Sequence, residues 1–360
     1  DFKEHPIANQ IIRVLELHDR RKFEIFAYSF GNSFDEMTSR VVKSVDNFKD
    51  VTNLSDKDIA LLARKDNIDI AIDLMGHTHL SRLSIFAFRA AKIQIHLFGS
   101  TTGAKFMDYI VADPTVIPSQ FSPYYQEKII YLPNSYMPTD DSRRIAKKIT
   151  TRQEMNLPKN GFIFCCFNAN YKITKCEFDI WMRLLQKVER SVLWLTSSHH
   201  QSKKNLRLEA LNNGIDPSRL IFTDRVSTED HLARHKQADI FLDTFNFNAQ
   251  STAIDALWAG LPVITKLGSQ FDSRSAASYL NAIGLPELIV ETNDDYESLC
   301  LELAINNQYL KSIKKKLAVN RKTTPLFNSK KYTRNLELAF EKSLQNSPNF
   351  KLKSDIWVKS

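Results

Sequence analysis

Asp239-Ile-Phe-Leu-Asp-Thr-Phe-Asn-Phe-Asn-Ala-Gln-Ser-Thr-Ala-Ile-Asp-Ala-Leu-Trp-Ala-Gly-Leu-Pro-Val-Ile264 is the stretch that decides how this chain folds. Its first apolar run reads as a strand that ends at Asp243, and a polar loop follows. Ser251 or Thr252 is placed to cap a helix that stops at Gly260, and the residues from Pro262 start another strand. Strand, loop, helix and strand in so few residues make a parallel crossover, and parallel sheets are covered on both faces. The amino terminus of such a helix offers free N–H groups and a positive dipole end, which suits a diphosphate. Asp255 lies one turn further on, within reach of a ribose hydroxyl. Spacing alone equally allows ordinary caps and a carboxylate that merely favours the dipole.

The same alternation runs outward in both directions. Strands are expected at 162–167, 191–195, 220–223, 240–242 and 262–265, with helices at 177–188, 205–212, 229–236, 252–259 and 273–282. Nearer the amino terminus, amphipathic stretches at 7–17, 59–64 and 84–90 alternate with strand-like runs at 23–28, 68–74, 93–97 and 109–112. Residues 138–151 are polar, basic and aperiodic. The expected division is therefore an N-terminal Rossmann-like domain at 1–137, a linker at 138–160, a C-terminal Rossmann-like domain at 161–328, a helix at 329–345 and a tail at 346–360. This is an α/β chain of two doubly wound domains facing a cleft, with ligands at the carboxyl ends of the strands. No 34-residue helical repeat is present.

Composition narrows the partners. The 360 residues are 43% hydrophobic and 25% charged, as in an ordinary globular protein, and no apolar run is long enough to cross a bilayer. The net charge of +8 is spread over many segments and concentrates only around 311–321, which reads as solvated helix faces rather than a nucleic-acid surface. Cys165, Cys166, Cys176 and Cys300 have no metal or redox spacing and are expected to be reduced core residues. The expectation is a cytoplasmic protein with neither membrane nor nucleic-acid partners and no metal. The chain opens on Asp1 without an initiating Met, as a piece of a longer protein would.

Three more residues gain interest from position. Lys172 follows the buried run at 162–167, where an ammonium beside the helix tip can neutralise a leaving diphosphate without a metal. His231 and Arg234 lie at the start of a helix that Ser227 or Thr228 can cap, and His231 is placed to meet a base or ribose edge. Each has a plainer reading, as a solvated lysine or a packed helical histidine.

Family motifs then occur in order: Asp1-Phe2-Lys3-Glu4-His5-Pro6, Asp73-Leu74-Met75-Gly76-His77-Thr78, Met107-Asp108-Tyr109, Phe167-Asn168 with Lys172, Glu229-Asp230-His231-Leu232, Asp255-Ala256-Leu257-Trp258-Ala259-Gly260-Leu261-Pro262 and Pro325-Leu326-Phe327. Together they resemble the catalytic region of the O-linked N-acetylglucosamine transferase / SPINDLY family, over about residues 1 to 345. The resemblance implies a GT-B fold, a nucleotide-sugar donor, no metal or other cofactor, and inverting transfer to Ser or Thr of proteins. Matched by position, Lys172 would stabilise the diphosphate and His231 with Arg234 would lie by the nucleoside. Gln250, Ser251 and Thr252 would hold phosphate, and Asp255 would take the ribose. His5, His77 and Thr78 would face sugar and acceptor, with His5 or a donor phosphate oxygen as base. It also implies a strand just before Asp1, absent here, and tetratricopeptide repeats further upstream.

The departures cluster around phosphate and sugar. The loop usually written Gly-Tyr-Pro-Gly-Thr-Thr/Ser-Gly reads Phe98-Gly-Ser-Thr-Thr-Gly103 here and is two residues short, and Gln250 replaces a phosphate-side histidine. UDP-GlcNAc is the expected donor. The alternatives are GDP-fucose, a catalytically impaired nucleotide-binding scaffold of the same fold, and N-glucosylation of Asn.

Overall fold

The computed structural model describes residues 1–31, 33–148, 150–196, 199–346 and 354–359. It divides into two compact units: Asp1–Ser142 with Asn328–Ser360, and Arg143–Phe327.

The first unit begins with α1 (Pro6–Leu17), where Pro6 presets the first helical φ and His5 caps the turn. Then come β1 (Phe26–Ser29), α2 (Glu36–Lys43), β2 (Asn47–Asp50), α3 (Asp56–Lys65), β3 (Ile70–Asp73), the short α4 (Ser84–Ala87), β4 (Ile93–His96), β5 (Tyr109–Ala112) and β6 (Lys128–Tyr131). Every residue of β4 and β5 is buried, as expected for a sheet covered on both faces. β3 to β6 pair in parallel, whereas β1 and β2 form a separate parallel pair. A cavity of about 650 Å³ lies between the two sheets, walled by Ala27, Ile70 and Ile72 of the strands and by Val14, Leu336 and Phe340 of the helices.

The second unit runs β7 (Ile163–Cys166), α5 (Lys175–Lys187), β8 (Val192–Thr196), α6 (His200–Asn212), β9 (Leu220–Thr223), α7 (Thr228–Arg234), β10 (Ile240–Leu242), α8 (Ser251–Ala259), β11 (Val263–Lys266), α9 (Ser275–Ala282), β12 (Ile289–Val290), α10 (Asn293–Ile305) and α11 (Asn307–Thr323). Its sheet is parallel throughout, in the order β12-β11-β10-β7-β8-β9. The chain therefore builds outward from β7 on one side and from β10 on the other. Between these two strands the connections diverge, and their carboxyl ends leave a crevice that side chains can line.

The chain then returns to the first unit as α12 (Ser329–Gln345), which packs on α1, and His18 Nδ1 lies 3.1 Å from Glu337 Oε1 in the buried contact. Part of the tail expected at 346–360 lies outside the described residues, namely 347–353 and Ser360. The rest includes β13 (Ile356–Trp357), which pairs in parallel with β6 and stacks Trp357 on Tyr131, with ring centroids 3.9 Å apart. Three of the four cysteines are buried, but Cys176 is exposed on the first turn of α5, so the expectation of a core residue is corrected there. Among the described residues no helix is long and apolar enough to cross a membrane.

Candidate functional site

The crevice between β7 and β10 in the second unit gathers most of the residues singled out from the sequence. Beyond β7, a short 3-10 turn at Asn170–Lys172 brings Lys172 back over the loop that leaves β10. Its ammonium donates to Asn248 O at 2.9 Å and lies 3.7 Å from the centroid of the Phe247 ring. Burial pulls the Lys172 pKa below its ordinary value, and the carboxylates of Asp243 and Asp272 push it back. The two β-α connections of the switch point are thus joined by one cation.

The loop from β10 is itself anchored by Asp243, which is fully buried. One oxygen accepts the backbone N–H of Thr244 at 2.8 Å and of Ala249 at 2.6 Å, and the other accepts the Thr265 hydroxyl at 2.6 Å. Burial pushes the Asp243 carboxyl up to about 7, against these donors. Asn168, also buried, bonds to Thr244 Oγ1 through its amide and accepts the Thr252 hydroxyl.

The tip of α8 differs from the expectation. Gln250 occupies the N-cap position with no side-chain cap, so neither Ser251 nor Thr252 caps the helix. The reason lies in the partners: the Thr252 hydroxyl is drawn sideways to Asn168, and Gln250 Nε2 donates to Asp272 Oδ1 at 3.2 Å. Among the described residues no side chain caps the first-turn N–H groups, which is the arrangement an anion can use. Gly260 ends the helix with φ +90°, in the left-handed region that favours glycine, as its place in the sequence requires.

One turn along α8, Asp255 is already engaged. Arg143 Nη1 donates to Asp255 Oδ1 at 2.5 Å, and His231 Nε2 lies 3.7 Å from Asp255 Oδ2. Ser227 caps α7 by accepting from Asp230 N, which fixes the turn that carries His231. Arg234 packs behind His231. It is buried, donates to Asp224 O at 2.9 Å, and meets His231 Nδ1 at 2.5 Å. An arginine only donates, so His231 Nδ1 accepts and the ring proton of the neutral imidazole is on Nε2, towards Asp255. Burial, with Arg234 and Arg143 nearby, lowers the His231 pKa to about 3, so the ring is neutral at ordinary pH.

In the first unit the remaining candidates sit on two loops and a helix cap. His5 Nδ1 accepts from Ile7 N at 3.3 Å as the N-cap of α1, and it lies 3.5 Å from Asp1 Oδ2. A capping Nδ1 puts the ring proton on Nε2, so acting as a base through Nε2 would require the cap to be given up. His77 Nε2 lies 2.9 Å from Thr102 O, and because a carbonyl only accepts, the ring donates there. The Thr78 hydroxyl donates to Met75 O at 2.8 Å. Beneath this loop Asp73 is buried, accepts from Met75 N and Gly76 N, and meets His96 Nδ1 at 2.8 Å. The Gly99–Gly103 loop is held by Glu127, itself buried, which accepts the hydroxyls of Thr101 and Thr102 and the N–H of Thr102.

Among the described residues no group of three or more His, Cys, Asp or Glu is arranged to hold a metal ion. Sequence reasoning did not single out Arg143, Asp243 or Glu127 as functional. Arg143 falls in the stretch expected to be a linker, Asp243 marks only the end of a strand, and Glu127 has no local motif at all.

Comparisons with known proteins identify the family. The model of glycosyl transferase family 41 matches residues 1–147 and 139–336. An Arabidopsis thaliana protein named as a probable UDP-N-acetylglucosamine–peptide N-acetylglucosaminyltransferase, SEC, is 34% identical over 351 residues, covering 95% of this chain and 36% of its own length. A Hordeum vulgare protein of the same description, SPINDLY, is 30% identical, covering 94% of this chain and 37% of its own length. The chain thus spans little more than a third of these relatives. The structure of a Thermobaculum terrenum O-GlcNAc transferase mutant superposes with a TM-score of 0.90 at 27% identity, covering 96% of this chain and 66% of that one. An Anabaena protein in complex with UDP and glucose, at a TM-score of 0.61 and 11% identity over 94% of this chain and 97% of its own, shares the fold alone.

Proposed function

Because this chain belongs to glycosyl transferase family 41, we propose that it transfers N-acetylglucosamine from UDP-N-acetylglucosamine to Ser or Thr hydroxyls of proteins, with inversion and without a metal. The observation that carries the reading is the contact of Lys172 with Asn248, next to the uncapped tip of α8, at the topological switch point of the second unit. In such a transfer the acceptor oxygen forms a bond to the anomeric carbon as the bond to the diphosphate oxygen breaks. The hydroxyl proton goes to a base, and the electron pair leaves with UDP. The Lys172 ammonium and the N–H groups of Ser251 and Thr252 meet that developing charge, doing by fixed dipole and cation what a metal does elsewhere. Asp255, beside His231, offers an acceptor for the ribose. The names of the relatives support the donor and the peptide acceptor. A cytoplasmic location and helical repeats upstream belong to the same reading.

Calorimetric titration with UDP and GDP, followed by donor-turnover assays on wild type and Lys172→Ala, tests it. UDP is expected to bind in preference to GDP, and loss of the ammonium is expected to weaken UDP by about tenfold to a hundredfold, as for a charged hydrogen bond. Preference for GDP would redirect the reading to fucose transfer. Binding without turnover in the full protein would leave a nucleotide-binding scaffold, and binding of neither nucleotide would overturn the proposal.

A further inference from the structure

Arg143 is the first residue of the second unit, and its side chain is 9% exposed. The segment that follows is fastened to α7 by Ala146 N, which donates to Glu229 O at 3.1 Å. This course delivers the guanidinium to α8, where it meets Asp255 and lies 5.8 Å from the centroid of the Trp258 ring.

The form of the contact is informative. A guanidinium and a carboxylate buried together normally form a two-pronged pair, which satisfies both oxygens and two N–H edges. Among the described residues only Nη1 is engaged, while Nε and Nη2 are enclosed without a hydrogen-bond partner. Leaving buried donors unpaired is costly, so the one-pronged geometry is not what packing alone selects. Its effect is to divide the two carboxylate oxygens. Oδ1 is fixed by Arg143, while Oδ2 lies on the His231 side at 3.7 Å, beyond hydrogen-bond distance. Arg234 and its bond to His231 Nδ1 orient that ring, so an oxygen acceptor and an imidazole N–H stand side by side. A neighbouring pair of hydroxyls, each both donor and acceptor, is the group this pair matches.

We infer that Arg143 is a positioning residue of the nucleotide site, holding one oxygen of Asp255 so that the other is presented, beside His231, to the ribose diol. The inference rests on the nucleotide reading above and extends it to a residue outside the matched motifs. It makes a specific demand on binding: Arg143 matters to the ribose hydroxyls and not to the phosphates, which are met by Lys172 and the α8 tip.

The test compares UDP, 2′,3′-dideoxy-UDP and inorganic pyrophosphate by calorimetry on wild type, Arg143→Met and Arg143→Lys. Wild type is expected to prefer UDP over the dideoxy compound by about tenfold, the worth of one charged hydrogen bond. In Arg143→Met that preference is expected to fall to about threefold or less, with pyrophosphate affinity unchanged. Arg143→Lys keeps the charge and the fold, and is expected to restore part of the preference, so the inference stays testable if the methionine variant fails to fold. An undiminished preference in either folded variant, or equal weakening of UDP and pyrophosphate, would overturn the inference. Equal affinity of wild type for both nucleotides would also overturn it while leaving nucleotide binding intact. Binding of neither would remove the nucleotide reading itself.

Discussion

Replacing Asp243 by Asn isolates the electrostatic state of the loop that carries the α8 tip. The carboxyl is fully enclosed, and its pKa is raised from 3.8 to about 7, chiefly by burial. A raised folded pKa means that the unfolded chain releases the proton first. The stability this group confers is therefore complete below pH 3.8 and is lost as pH rises through about 7. The full difference amounts to roughly 4 kcal/mol, of which about 3 kcal/mol falls between pH ~5 and ~9. Asn keeps the shape: its carbonyl oxygen can still accept from Thr244 and Ala249, and its amide can donate to Thr265 Oγ1. Urea unfolding followed by tryptophan fluorescence is expected to show the variant gaining about 3 kcal/mol on wild type across that pH range. A difference that is flat with pH, or that moves the other way, would refute the reasoning. It would mean that two amides, a hydroxyl and the Lys172 cation outweigh burial and keep the carboxylate ionised throughout.

Two further outcomes follow from the first unit. Glu127→Ala strands the hydroxyls of Thr101 and Thr102 and the N–H of Thr102, so it is expected to cost about 2–4 kcal/mol and to speed amide hydrogen exchange at Thr102. Gly76→Ala meets two obstacles, a φ of +54° and His96 Cε1 at 2.9 Å from the added Cβ, and thermal unfolding is expected to report a loss of about 1–3 kcal/mol.

What the sequence made legible follows the physics of each element. β9 and β10 lie at 220–223 and 240–242 as expected, because short, continuous apolar runs between breakers have few other readings. β2, with sequence Asn-Phe-Lys-Asp, was not foreseen: it has one large apolar residue and lies at a sheet edge, so no periodicity marks it. β13 escaped for a similar reason, since a strand of two residues leaves no pattern and is defined only by its partner β6. α6 begins at His200, five residues before the amphipathic pattern suggested, because most of its residues face solvent.

The candidate site was legible as a set of residues that the fold brings together, and not as a set of bonds. Lys172, His231, Thr252 and Asp255 were all singled out, yet each already has a protein partner: Asn248, Arg234, Asn168 and Arg143. Those partners lie from three residues to more than a hundred away in sequence, and nothing in the local pattern encodes such pairings. They decide the chemistry all the same. Arg234 settles which nitrogen of His231 carries the proton, Asn168 turns the Thr252 hydroxyl away from the helix tip, and Arg143 engages one oxygen of Asp255. A residue chosen for its type supplies a functional group, and only its neighbours determine whether that group donates, accepts or is spent. A substitution at Arg143 or Asn168 is therefore expected to alter ligand recognition as surely as one at the residues the motifs name.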